Sequence, residues 1–369
     1  MTRILHDSDY TLIFIVMVLL CIGLIMVYSS SAVTVGEKRA DSFFYFKKQF
    51  AWAALSMLFF GFFSLTDYRK FQKYVIPFTV ATVIMLIAVL AFGKQIRGAR
   101  RWFDLGLFNF QPSELAKFVS VFFLADYLDR NKSRLKHFAG GFLPALGVVG
   151  LLSGLIVLEP DLGVPAVIML VAVLLFFTGG ARLSHILLVM AAGAPLMFYA
   201  IKAHSFRMER LMSFLDPWKN AQGASYQLVQ SLTSLGSGGV LGKGAGSSDM
   251  SKFYLPDAHT DFIFSIIGEE FGVWGTVLVV LLFCAFMYRG YIISRNARDN
   301  FGMMLAAGIT LTISVQAFFN MAVCTGCVPT KGISLPFISY GGSSLLLALS
   351  ATGVLANIAL TGRKTVKLR

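Results

Sequence analysis

Charge is scarce in this sequence. Asp, Glu, Lys and Arg make up 14% of its 369 residues, a little over half the share found in soluble globular proteins, so the chain cannot clothe an ordinary water-facing surface. Cysteine is scarcer still. Cys21, Cys284, Cys324 and Cys327 supply no disulfide framework, and the one C-x-x-C lacks the second ligand pair of a structural zinc site. Phosphate-loop motifs are missing too: in the run Gly236-Ser-Gly-Gly-Val-Leu-Gly-Lys-Gly-Ala-Gly246, a Walker motif needs Gly where Ser237 stands and Ser or Thr where Gly244 stands. The run reads as a flexible exofacial loop, with diphosphate binding by its backbone amides as the alternative. The net charge of +13 forms no arm or stripe suited to nucleic acid. Basic residues divided among many connections point to membrane lipids as partners instead.

Apolar residues fill the space that charge leaves. They account for 56% of the chain and recur in uncharged runs of roughly 18 to 22 residues, each enough to cross about 30 Å of hydrocarbon. Spans are predicted at approximately 10–31, 49–66, 74–93, 112–129, 139–158, 163–179, 183–203, 260–288, 302–323 and 337–360. The first is read as retained rather than as a signal peptide, because its apolar stretch is long and Asp7 and Asp9 precede it. The expected fold is an all-α polytopic membrane protein, 1–369 forming a single integral membrane domain of about ten transmembrane helices. One large exofacial loop, 204–259, separates the seventh and eighth. Lys and Arg divide 16 against 15 between the faces, with Lys117 inside a span; six of the 15 belong to the long loop, which leaves 9. Long loops cross largely regardless of charge, so both termini are placed in the cytoplasm.

The chemistry should lie where charge enters an apolar run, since an ionisable group at a helix centre costs about 2.5–3.5 kcal/mol on insertion scales. In Gln111-Pro-Ser-Glu-Leu-Ala-Lys117 the proline suits a helix start, and Glu114 and Lys117, three apart, share one face. They are either a neutralising pair that joins helices or part of a site. The eighth span opens on Tyr254-Leu-Pro-Asp-Ala-His-Thr-Asp261, with Glu269 and Glu270 following on different faces. Asp261 is either a carboxylate stabilised at a helix N-terminus or a functional base. His259 is an interfacial hydrogen-bonding residue or a substrate contact.

Four segments carry a resemblance: Gly98-Ala-Arg-Arg-Trp-Phe-Asp-Leu-Gly106, Gln111 to Lys117, Tyr254-Leu-Pro-Asp-Ala-His-Thr-Asp-Phe-Ile-Phe264 and Pro336-Phe-Ile-Ser-Tyr-Gly-Gly-Ser-Ser344. Their order and sequence resemble the SEDS (shape, elongation, division, sporulation) family over nearly the whole chain. Phe214-Leu-Asp-Pro-Trp218, Gly268-Glu-Glu270 and Pro329-Thr-Lys-Gly332 are more similar to its division branch than to its elongation branch. Asp257 departs from the glutamate usual there but keeps the charge.

The resemblance implies a peptidoglycan glycosyltransferase that polymerises lipid II at the outer face of the cytoplasmic membrane, for septal synthesis. An elongation polymerase and a lipid II flippase are the alternatives. It places the family's catalytic aspartate at Asp261, with Glu114, Lys117, Arg101, Lys252 and His259 as substrate-binding candidates. Lys117, Arg101, Lys252 or a divalent cation (Mg or Mn) would stabilise the leaving diphosphate, and no other cofactor is expected. The implied partners are a cognate class B penicillin-binding protein and other divisome proteins.

Overall fold

A computed structural model describes residues 10–36, 43–96, 99–104, 106, 109–202, 205–223, 225–248 and 259–366. Lys252 and Asp257 lie outside the described residues. The chain is mostly helical: α1 Tyr10–Gly36, α2 Phe44–Leu65, α3 Val75–Phe92, α4 Pro112–Arg130, α5 Leu143–Leu158, α6 Gly163–Thr178, α7 Leu183–Lys202, α8 Ser205–Leu215, α9 Tyr226–Gly238, α10 Ile263–Arg295, α11 Asn300–Cys324 and α12 Gly342–Val366.

Every predicted span falls on a helix. Seven of these, α1, α2, α3, α5 extended back to Phe138, α10, α11 and α12, are long and apolar enough to cross a membrane. The others differ for readable reasons. Helix α4 carries Glu114, Lys117, Asp126 and Asp129, while α6 and the apolar part of α7 are short.

One expectation needs correction. The fold is not wholly α, because the connection from α3 to α4 folds into an antiparallel sheet of β1 Lys94–Ile96, β2 Ala99–Asp104 and β3 Asn109–Phe110. A connection between two span ends must satisfy its own backbone groups, and here Lys94 pairs with Asp104 across the strands at 2.6 Å. The described residues of the 204–259 stretch include α8 and α9.

The centre of the bundle is α11 and α12, whose most apolar windows are 72% and 78% buried, against 22% for α10. Small residues let backbones approach closely, as expected between helices that share lipid as solvent. A Cβ on Gly308 would meet Val121 of α4 at 2.4 Å, one on Gly290 would meet Thr310 at 2.1 Å, and one on Gly353 would meet the Phe60 carbonyl of α2 at 2.5 Å. The starts of α2, α4, α6 and α12 and the residues just before α10 meet the end of α11 and the connections that follow α3 and α5 around one end of the bundle.

Helix α10 is broken. Gly272 has φ 64° and ψ −156°, so the helix runs regularly from Ile263 to Phe271 and restarts at Val273. The glycine run packs into this break: Lys243 N donates to Glu269 O at 2.9 Å, Gly244 N to Glu270 O at 3.0 Å, and Val273 N to Gly239 O at 3.1 Å.

Candidate active site

A cavity of about 1330 Å³ opens at the shared end, lined by α2, the small sheet, the starts of α4 and α6, Arg210 of α8, Asp261, the end of α11 and the segment Pro329–Ser344. Glu114, Lys117, Arg101 and Asp261 all line it.

Helix α4 begins at Pro112 with Gln111 extended before it, which places Glu114 in the first turn and Lys117 one turn on. The Lys117 ammonium lies 2.8 Å from the Glu114 carboxylate, both side chains buried. It also donates to Gln316 Oε1 of α11, and Gln316 Nε2 donates to Ser334 O at 2.9 Å. The pair thus joins helices and faces the cavity at once.

Asp261 stands two residues ahead of α10, in a turn rather than in the helix. That turn is fastened to the segment before α12. Asn320 Nδ2 donates to both Asp261 O (2.8 Å) and Ile333 O (2.6 Å), Ser339 Oγ donates to Thr260 O at 2.6 Å, and Tyr340 N to His259 O at 2.9 Å. A Cβ on Gly332 would come within 2.8 Å of Asp261 Oδ2. Glycine there leaves the carboxylate its place.

His259 sits behind the wall. Its ring packs on Tyr45 and Tyr340, with centroids 4.6 and 5.5 Å away, and it is absent from the lining. Arg101 is partly committed: Nε donates to Glu159 O and Nη2 to Pro160 O, each at 2.8 Å. This ties β2 to the α5–α6 connection. Beneath it Glu159 is fully buried, neither carboxylate oxygen having a hydrogen-bond partner. Burial, then the neighbouring Asp161, push its pKa up to about 8 against the pull of Arg101.

Four cations of the lining, Lys48, Lys94, Arg210 and Lys331, were not among the site residues the sequence suggested. Arg210 of α8 donates to Thr330 O at 3.4 Å. Burial and Arg101 lower its pKa while the Asp261 charge opposes them, so its charge acts on the same space. Lys331 also lines the cavity. Arg210 lies on an amphipathic helix, Ser-Phe-Arg-Met-Glu-Arg-Leu-Met-Ser-Phe-Leu, whose period was a usable signal.

Glu269 belongs elsewhere. Fully buried, it accepts from Lys243 Nζ (2.8 Å), Ser248 Oγ (2.6 Å) and Ser234 Oγ (3.1 Å). The glycine run is accordingly an ordered clasp on the broken helix, not a flexible loop. The amides of Lys243 and Gly244 are already spent on helix carbonyls, which removes them from diphosphate binding. Among the described residues no three of His, Cys, Asp and Glu converge as a metal site.

A multi-pass helical membrane protein with a charged cavity at one end is the class these observations define. A family model described as Cell cycle protein (FtsW/RodA/SpoVE) matches residues 10–364, and the chain belongs to that family. It is 38% identical to the probable peptidoglycan glycosyltransferase FtsW of Geobacter sp. (strain M18), covering 96% of this chain and 98% of the relative. It is 39% identical to stage V sporulation protein E of Bacillus subtilis (strain 168), covering 97% and 98%. Among solved structures it resembles a chain of a peptidoglycan synthase complex described for its structural coordination of polymerization and crosslinking, at TM-score 0.78 and 28% identity over 95% of this chain and 97% of that one. It also resembles the rod shape determining protein RodA of Thermus thermophilus, at TM-score 0.71 and 25% identity over 97% of each.

Proposed function

We propose that this protein is a peptidoglycan glycosyltransferase that polymerises lipid II, with Asp261 as general base. The observation that carries the reading is the meeting of the Asp261 carboxylate with Lys117, Arg101, Arg210 and Lys331 around one cavity at one end of the bundle. Glycosyl transfer from a diphosphate needs a base beside the attacking hydroxyl and positive charge beside the leaving group. The acceptor's 4-hydroxyl oxygen attacks the donor's anomeric carbon and its proton passes to Asp261. The bond from that carbon to the diphosphate oxygen breaks, and the configuration inverts. Lys117, Arg101 and Arg210 supply the charge that holds the departing diphosphate.

In this reading all ten helices span the membrane, α8 and α9 belong to the extracytoplasmic connection, and both termini are cytoplasmic. The cavity then opens outward, where lipid-linked sugars can react with their tails in the bilayer. A flippase would need a polar path reaching the opposite end. No described residue of 67–73, 126–137 or 289–300, all at that end, lines the cavity. The identity to an FtsW relative and the likeness to a synthase complex favour septal synthesis beside a class B penicillin-binding protein. Polymerisation of lipid II by purified protein, with and without that partner, tests the proposal; absence of polymer in both conditions from folded protein would refute it.

A further inference from the structure

Helix α11 carries two buried amides one turn apart, Gln316 and Asn320, and their i, i+4 spacing sets them on one face. A buried amide is unfavourable unless its polar atoms are bonded, and each of these bonds groups from separate stretches of the chain. Gln316 accepts from Lys117 Nζ and donates to Ser334 O at 2.9 Å. Asn320 Nδ2 donates to Asp261 O at 2.8 Å and to Ile333 O at 2.6 Å. The two hydrogens of a planar amide nitrogen diverge at a set angle, so one atom fixes where both carbonyls stand.

Both carbonyls bear on the same carboxylate. Asp261 lies ahead of α10, outside its regular turns, so the helix does not hold its peptide and Asn320 does. Ile333 follows Gly332, where a Cβ would come within 2.8 Å of Asp261 Oδ2. Asn320 therefore sets the peptide that carries the carboxylate and the peptide that limits its swing, while Gln316, on the same face of α11, sets Lys117. Asn357 of α12 offers a contrast. It is also buried, its Nδ2 donates to Ser64 O at 2.8 Å, and its Oδ1 accepts from Tyr68 N at 3.1 Å. This is the same kind of tie, yet none of Ser64, Tyr68 and Asn357 lines the cavity.

We infer that Asn320 is a positioning residue for the proposed base, its amide fixing the Asp261 carboxylate relative to Lys117 through the shared face of α11. The assignment rests on the glycosyltransferase reading. Purified full-length variants, with a class B penicillin-binding protein present, are assayed for kcat and KM on lipid II, and lipid II affinity is measured separately. Asn320→Leu, of similar size, lowers kcat about 10²-fold, the effect of a misplacement of about 1 Å, with KM and affinity within about twofold of wild type. Asn320→Gln keeps both donors but carries them one methylene further; it loses about tenfold in kcat and decides the matter if the leucine variant does not fold. Asn357→Leu lowers the thermal midpoint and leaves kcat and KM unchanged. Wild-type kcat in either folded Asn320 variant, or an equal fall in kcat for Asn357→Leu, overturns the assignment. Asp261→Asn, run alongside, separates the two failures. If it is inactive while the Asn320 variants are fully active, the positioning role alone falls; if it is fully active, the general-base reading falls and the positioning role with it.

Discussion

Lys117 has two partners, the Glu114 carboxylate and the Gln316 amide oxygen, and they bear differently on function. With Gln in place of Glu114, the ammonium keeps its tether to α11 and its position at the cavity. Without Lys117, a carboxylate is left in the wall beside which the proposed reaction puts the diphosphate. Lys117→Ala is expected to lower polymerisation by about 10²-fold, the scale of losing one preorganised electrostatic group, and Glu114→Gln by less than tenfold. Initial rates at matched membrane abundance measure the difference, and near wild-type rates for both would contradict it. Glu159 makes a prediction about pH. Its pKa rises from the ordinary 4.5 to about 8 in the fold, so between those values the folded state holds a proton that the unfolded chain has released. Its stabilising contribution is complete below about pH 4.5 and is lost as pH rises through about 8. Glu159→Gln keeps the neutral shape and should flatten the fall in thermal midpoint between pH 5.5 and 8.5. An unchanged slope would show that Glu159 is not the buried acid described.

At the scale of elements, the apolar runs located the helices because each must satisfy its backbone within itself in lipid. The break at Gly272 was not readable, since Phe271-Gly-Val-Trp-Gly275 stays apolar across it and hydropathy has no term for φ. The glycine run was misjudged for a related reason. Its flexibility in isolation is set aside by partners in α10, distant in sequence, whose Glu269 and Glu270 carbonyls take its amide hydrogens. Gly242 is the sharpest test of that clasp. It has φ 81°, and a Cβ there would sit 2.2 Å from Glu270 O. Gly242→Ala should lower the thermal midpoint by several degrees, left-handed strain alone costing about 1 kcal/mol or more. Gly236→Ala, in helix α9 with open space around it, should be neutral or slightly stabilising. Equal tolerance of both substitutions would mean that the clasp is not formed.

For the whole molecule, helix ends far apart in the sequence gather around one cavity. Glu114, Lys117 and Asp261 were readable because a charge in an apolar run demands an explanation. Lys331 was not, because a cation in a polar connection demands none, and Arg210 was marked only by the period of its amphipathic helix. Arg101 emerged only through resemblance, and its strut to the Glu159 and Pro160 carbonyls lies beyond any pattern in the chain. The topology makes its own prediction. In a background without the four native cysteines, a cysteine at Gly223 should react with a membrane-impermeant thiol reagent on intact cells and one at Lys132 should not; the opposite labelling would invert the arrangement.

Asp261→Asn bears most directly on the account, since it keeps the side chain's size and its place beside Gly332 while removing basicity. Purified variant should still bind lipid II through the cationic wall and the buried tail, and should polymerise it roughly 10²–10⁴-fold more slowly than the wild type, the usual cost of losing a general base. Polymerisation by the variant within a fewfold of the wild-type rate would contradict the assignment of the reaction to this carboxylate.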